Sequence, residues 1–255
     1  MINNHFNSIQ TKKWTLDEAY AFCADVTQKH YENFPVASLF LPSEKRPFVQ
    51  SIYAFARIAD DFADEDDVDP QTRLQHLSGW ENSLKLCYEG KAEHPIFIAL
   101  GDTVSKLSIP IELLTDLLKA FRMDVTKNSY DNFDEVLQYC KYSANPVGRL
   151  VLLIFGYHDE EYFKYSDYIC TALQLTNFYQ DVGIDLQKNR IYIPRDELIE
   201  YDYNEAELKK KVYNKQFENL MKLQVERARK LFYEGAPLPL MVDKDLQLEL
   251  KLVWF

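Results

Sequence analysis

Apolar residues recur at three- and four-residue intervals along most of the chain, the spacing of one face of an α-helix. In residues 46–59, RPFVQSIYAFARIA, the residues Phe48, Ile52, Phe55, Ile58 and Ala59 form one stripe that Phe62 continues. This predicts a helix from near Ser43 into the acidic stretch that follows. TLDEAYAFCADVTQKHY opens with Thr15 and Glu18 at capping-box spacing. Asp69 followed by Pro70 predicts a cap and first turn for a helix that stops before Gly90. PIELLTDLLKAFRMDV puts Ile111, Leu114, Leu117, Leu118 and Phe121 on one side. NFDEVLQYCKYSANPVGRLVLLIFG starts at an Asn132–Glu135 box and breaks at Pro146. EEYFKYSDYICTALQLTNFYQDVGIDL reads as one long helix. Asn204 and Glu207 open another, KQFENLMKLQVERARKLFYEG is a further one, and DKDLQLELKLVWF begins a last. No alternating strand pairs, repeats or linkers interrupt this pattern. The expectation is an all-α fold, one helical domain over residues 1–255.

Polar residues on two of these helices break the apolar pattern. The first runs into seven carboxylates (Asp60, Asp61, Asp64, Glu65, Asp66, Asp67 and Asp69) with no basic residue between Arg57 and Arg73. Acids near a helix C-terminus oppose the macrodipole and repel one another, so a positive group is expected to offset them. At about 100° per residue, Tyr53, Arg57, Asp60 and Asp64 share one face, with Asp61 at its edge. The long later helix repeats the arrangement with Gln174, Asn177, Asp181 and Asp185. Each face carries a D-x-x-x-D. One such motif is common on solvated helices; two inside otherwise apolar helices are more specific. Buried carboxylates are expensive unless paired or metal-bound. Oxygen donors without clustered His or Cys suit Mg²⁺, which bridges readily to phosphate. The stretch DEDDVDP lacks the glycine and final glutamate of an EF-hand loop, and its acids read as surface and capping groups.

Composition narrows the function classes. The 255 residues are 47% hydrophobic and carry a net charge of -11, which argues against a nucleic-acid partner. Seven glycines form no G-x-G-x-x-G or phosphate loop, removing the main sequence support for a nucleotide cofactor. Cys23, Cys87, Cys140 and Cys170 lie far apart and read as reduced thiols of a cytoplasmic protein without a signal peptide. The apolar run VGRLVLLIFGY is too short to span a bilayer.

Three stretches, YAFARIADDFAD, YCKYSANPVGRLVL and LQLTNFYQDVGIDLQKNRIYIP, make nearly the whole chain resemble the squalene/phytoene synthases. HYENFPVAS, AFRMDVTKNSY, SANPVGRL and the Gln180-Asp181 pair are most similar to the bacterial hydroxysqualene synthase branch of hopanoid biosynthesis. Condensing relatives usually carry His-Ser-x-Ser-Phe where this chain has HYENF, and Arg where Gln180 stands. The resemblance implies a terpenoid-synthase helical fold around a central cavity. It also implies Mg²⁺ held by Asp60, Asp64, Asn177, Asp181 and Asp185 against a prenyl diphosphate. Arg57, Arg190 and Lys188 would meet phosphate oxygens, although Arg57 could equally form a structural pair with Asp61. Gln174 belongs to the same register, Tyr53, Tyr139 and Tyr192 would line the cavity, and LQKNRIYIPRDEL would form a lid. Asn145 and Tyr142, beside the Pro146 break, are candidates to hold a water. The implied reaction is ionisation of presqualene diphosphate and capture of the rearranged cation by water. The rivals are condensation of two farnesyl diphosphates and a non-catalytic helical assembly protein. Peripheral contact with the inner membrane face, for product release, and partner enzymes of the squalene/hopanoid pathway are also implied. The family continues with another helix after LELKL, whereas this sequence stops at VWF.

Overall fold

The computed structural model describes residues 13–29, 42–65 and 67–254. The HYENF stretch lies outside the described residues. Fourteen α-helices follow in chain order among the described residues: α1 (Leu16–Lys29), α2 (Arg46–Ala63), α3 (Pro70–Tyr88), α4 (Pro95–Leu107), α5 (Ile111–Thr126), α6 (Phe133–Ser143), α7 (Asn145–Ile154), α8 (Glu160–Gln180), α9 (Val182–Asp185), α10 (Arg195–Glu200), α11 (Glu205–Lys209), α12 (Lys215–Gly235), α13 (Leu238–Met241) and α14 (Lys244–Trp254). Among the described residues the extended contacts reduce to one parallel bridge, Ser129 to Ile191. The fold is all-α.

Several boundaries follow from local chemistry. The Thr15 hydroxyl accepts from the Glu18 amide while the Glu18 carboxylate accepts from the Thr15 amide, so the predicted capping box forms. Asp69 accepts from the Thr72 amide with Pro70 at the first helical position. Asn132 accepts from the Glu135 amide, but the Glu135 carboxylate reaches the Asp131 amide instead of closing a full box. The helix predicted from Ser43 begins at Arg46, after a turn over residues 43–45. The predicted single helix over 160–186 is not continuous: it ends at Gln180, turns at Asp181 and resumes as α9, followed by a 3₁₀ turn over Leu186–Lys188. Helix α4 is not among the predicted elements; it buries one broad face, with Ile96, Phe97, Ala99, Leu100, Thr103 and Val104 inside, while Ser105 and Lys106 are exposed.

The largest core cluster joins α1 to α5. At its centre Trp80 lies 4.5 Å from Phe97 and 6.1 Å from Phe55, and its indole N–H donates to the Phe55 carbonyl at 3.1 Å. Truncating such an indole to alanine typically removes about 3–5 kcal/mol, so this cluster fixes α2 and its acidic end. A second cluster, of Tyr130, Tyr139, Phe178 and Tyr192, binds α6 and α8 to the segment that follows α9. The two clusters hold the ends of α2 and α8, where the acidic motifs lie.

Candidate active site

Asp60 and Asp64 occupy the last turn and C-cap of α2. Asp181 caps α8 and Asp185 ends α9, so the bend at Asp181 separates the two acids of the second motif. Their four-residue spacing predicts both on one straight face. In the structure a helical turn still connects them, because the Asp185 amide donates to the Asp181 carbonyl at 2.9 Å. The Asn177 amide donates to the Asp181 carboxylate at 2.8 Å. Gln174, one turn earlier on α8, is half-buried.

The anticipated positive charges are present. Arg190 donates to Asp64 at 2.9 Å and the Lys188 ammonium lies 3.7 Å from the other Asp64 oxygen. Arg57 reaches Asp60 at 3.2 Å and Asp61 at 2.5 Å. The structural pairing with Asp61 is therefore real, and Asp60 shares the same guanidinium. Tyr53 is half-buried near Arg57, Asp60 and Asp61.

Asp124, near the end of α5, is a residue the sequence reading missed. The Tyr139 hydroxyl donates to both of its oxygens, at 2.9 and 3.1 Å. A lone acid in AFRMDV has no motif partner on its own helix, so no local signal marks it. Its partners come from α2, α6 and Arg190. Burial raises the Asp124 carboxyl to about 7, with Asp64 and Asp60 adding to the rise and Arg190 opposing it. Burial and then neighbouring Asp64 raise Asp60 to about 6, and burial with Asp181 raises Asp185 to about 6. Asp60, Asp64, Asp124 and Asp185 thus share the field of Arg190, with Lys188 beside Asp64, Asp61 on Arg57 and Asp181 beside Asp185. An all-oxygen donor set with surplus negative charge fits a hard divalent cation. Among the described residues no three Asp, Glu, His or Cys side chains stand close enough together to hold a metal ion between them.

Beside the acids lies an aromatic wall. Tyr192 stacks on Phe178 with centroids 3.6 Å apart and planes at 6°, and Tyr130 stacks on Tyr192 at 5.6 Å. Tyr139 meets both Phe178 and Tyr192 within 5.8 Å. Burial pushes the Tyr139 and Tyr192 hydroxyls well above the ordinary phenol range, so both stay protonated donors.

The predicted lid divides in two. Gln187, Lys188 and Asn189 are exposed, but Ile191, Tyr192, Ile193 and Pro194 are buried. The Ile191 amide donates to the Asn128 carbonyl at 2.8 Å and the Arg195 amide to Tyr130 at 3.0 Å. This second half is a fixed strap. Asn145 is also placed differently from expectation. It accepts from the Thr171 hydroxyl at 2.9 Å and lines a cavity of about 320 Å³ with Arg149 and Asp167, apart from the motif aspartates. Tyr142 packs against the aromatic cluster under Lys119. A larger cavity, about 580 Å³, lies between α3 and α4 and none of the acids lines it.

Residues 27–254 match the family described as Squalene/phytoene synthase. Hydroxysqualene synthase of Sinorhizobium fredii is 43% identical over 168 residues, 66% of this chain and 56% of that protein. Phytoene synthase 1 of Zea mays is 32% identical over 226 residues, 86% of this chain and 55% of that protein. The chain therefore spans about half the length of these two curated relatives. The crystal structure of squalene synthase HpnC from Alicyclobacillus acidocaldarius superposes with a TM-score of 0.89 at 39% identity, covering 94% of this chain and 90% of that one.

Proposed function

This chain belongs to the squalene/phytoene synthase family, and from that premise we propose that it converts presqualene diphosphate and water to hydroxysqualene and diphosphate. The observation that carries the reading is the surplus of carboxylates around Arg190 beside a wall of stacked rings. Identity to the Sinorhizobium fredii hydroxysqualene synthase supports this branch, as does the likeness to the HpnC structure.

Asp60, Asp64, Asn177, Asp181 and Asp185, joined by Asp124, are the residues that would hold Mg²⁺. The bound ion would neutralise the diphosphate and make it a better leaving group. Arg190, Lys188 and Arg57 bind and orient the phosphate oxygens. The carbon–oxygen bond then breaks with its electron pair leaving on the diphosphate. Ring faces of Phe178, Tyr139 and Tyr192 stabilise the carbocation through their quadrupoles, while burial of the wall keeps stray water away. A water oxygen forms the new carbon–oxygen bond and releases its proton. The balance requires no reductant.

The chain is read as one domain in the cytoplasm, with peripheral contact at the inner membrane face. No described helix is long and apolar enough to cross a membrane, and both substrate and product are greasy. The second reading is head-to-head condensation of two farnesyl diphosphates, favoured by the identity to the Zea mays phytoene synthase over most of this chain.

One incubation separates them. With presqualene diphosphate, Mg²⁺ and ¹⁸O-labelled water but no NADPH, labelled hydroxysqualene should form, and farnesyl diphosphate alone should yield little or nothing. Comparable product from farnesyl diphosphate alone would move the chain to the condensing branch.

A further inference from the structure

Behind the strap that carries Arg190 and Tyr192 lies a buried polar knot. Glu197, on α10, is 4% exposed. Its carboxylate accepts from the amide of Gln224 at 2.5 Å and from the Arg227 guanidinium, both on α12. Arg227 in turn lies 4.1 Å over the Phe133 ring of α6. Gln224 is fully buried, and its carbonyl oxygen has no hydrogen-bond partner. A buried carboxylate and an orphan carbonyl both weigh against stability, and an apolar replacement of similar volume is often at least as stable. Packing alone gives no reason for this knot.

Its location supplies one. Glu197 lies three residues past the strap residues Arg190–Pro194, and the bonds of this stretch to residues 128–131 are few: the backbone bonds of Ile191 to Asn128, Arg195 to Tyr130 and Asp196 to Asp131, and one side-chain bond from Arg195 to Asp131. Stacking of Tyr192 on Phe178 requires those bonds to hold one register. We infer that Glu197 is a positioning residue, clamped by Gln224 and Arg227, which fixes the strap so that Arg190 and Tyr192 stay aimed at the acidic site. Charged and amide partners set direction where apolar contacts would allow sliding. The link to substrate rests on the function proposed above, but the anchoring does not.

The test uses the whole chain with Glu197→Leu and Glu197→Gln. Amide exchange should accelerate about tenfold at Ile191 and Arg195 in Glu197→Leu, while amides of α1 and α4 keep their protection. Glu197→Gln, which keeps the shape and one acceptor, should shift the same amides less, and it decides alone if Glu197→Leu does not fold. Inorganic diphosphate in Mg²⁺ buffer should bind Glu197→Leu about fivefold more weakly. In an Arg190→Ala background the same substitution should bring no further loss, because the effect runs through Arg190. Unchanged strap exchange, or acceleration spread evenly over all helices, would overturn the anchor. Equal losses in both backgrounds would overturn the route through Arg190. If Arg190→Ala alone binds diphosphate normally, the reading of the site fails while the exchange result still decides the anchor.

Discussion

Arg190 and Asp64 stand 126 positions apart in the chain and are joined by a hydrogen bond of 2.9 Å. That single contact ties the end of α2 to the segment leaving α9, and Lys188 reinforces it from 3.7 Å. Arg190→Ala should therefore weaken inorganic diphosphate binding by roughly 1.5–3 kcal/mol, the range for hydrogen bonds to charged groups. Calorimetry in Mg²⁺ buffer measures it. An unchanged affinity would return Arg190 to a structural role.

Asp60→Asn or Asp181→Asn should abolish turnover while leaving helical content intact. Burial, and then the like charges of Asp64 and Asp61, raise the Asp60 carboxyl to about 6, so its neutralisation should also raise the melting temperature, as happens where function and stability conflict. Turnover by the unmodified protein that persists in excess EDTA would refute the metal reading.

Metal-free stability should depend on pH through the same acids. The Asp124 carboxyl is raised to about 7, and Asp60 and Asp185 to about 6, from an ordinary 3.8. Between those limits the folded chain holds protons that the unfolded chain has released. Their contribution is thus present at the low end of the window and is lost as pH rises through 6 to 7. Asp124→Asn removes the largest part of that loss. It should stabilise the metal-free protein by on the order of 2 kcal/mol at pH 8 and by less than half of that at pH 5. Denaturation at both pH values decides; a gain equal at both would show that the carboxyl does not titrate there.

Gly148 supports the packing of α7 on α8. A Cβ there would meet Ser166 Oγ at 2.3 Å and Cys170 Sγ at 2.5 Å. Gly148→Ala should destabilise by about 1–3 kcal/mol through overpacking. A urea midpoint no lower than that of the unmodified chain would contradict the contact.

The sequence by itself determined the helical class, most helix starts and the identity of the two acidic motifs. These are local properties: a 3.6-residue apolar period, a capping side chain three residues from its amide, and a carboxylate one helical turn from another all lie within a few positions. Tyr53, Arg57, Asp60, Asp64, Gln174, Asn177, Asp181 and Asp185 were candidates on that basis, and Tyr139, Tyr192 and Arg190 became candidates through likeness to the family. Tertiary structure alone decided the rest. Helix α4 carries apolar residues all round its first turns, Pro95 to Leu100, and the neighbours packed on it decide which face is buried. The bend at Asp181 arises where α8 gives way to a strap pinned by residues 128–131. Asp124 joined the site, Asn145 left it, and Glu197 became a buried anchor, because each depends on groups tens of positions away. Burial and charge at a point are sums over every element packed there, and no stretch of chain contains that sum.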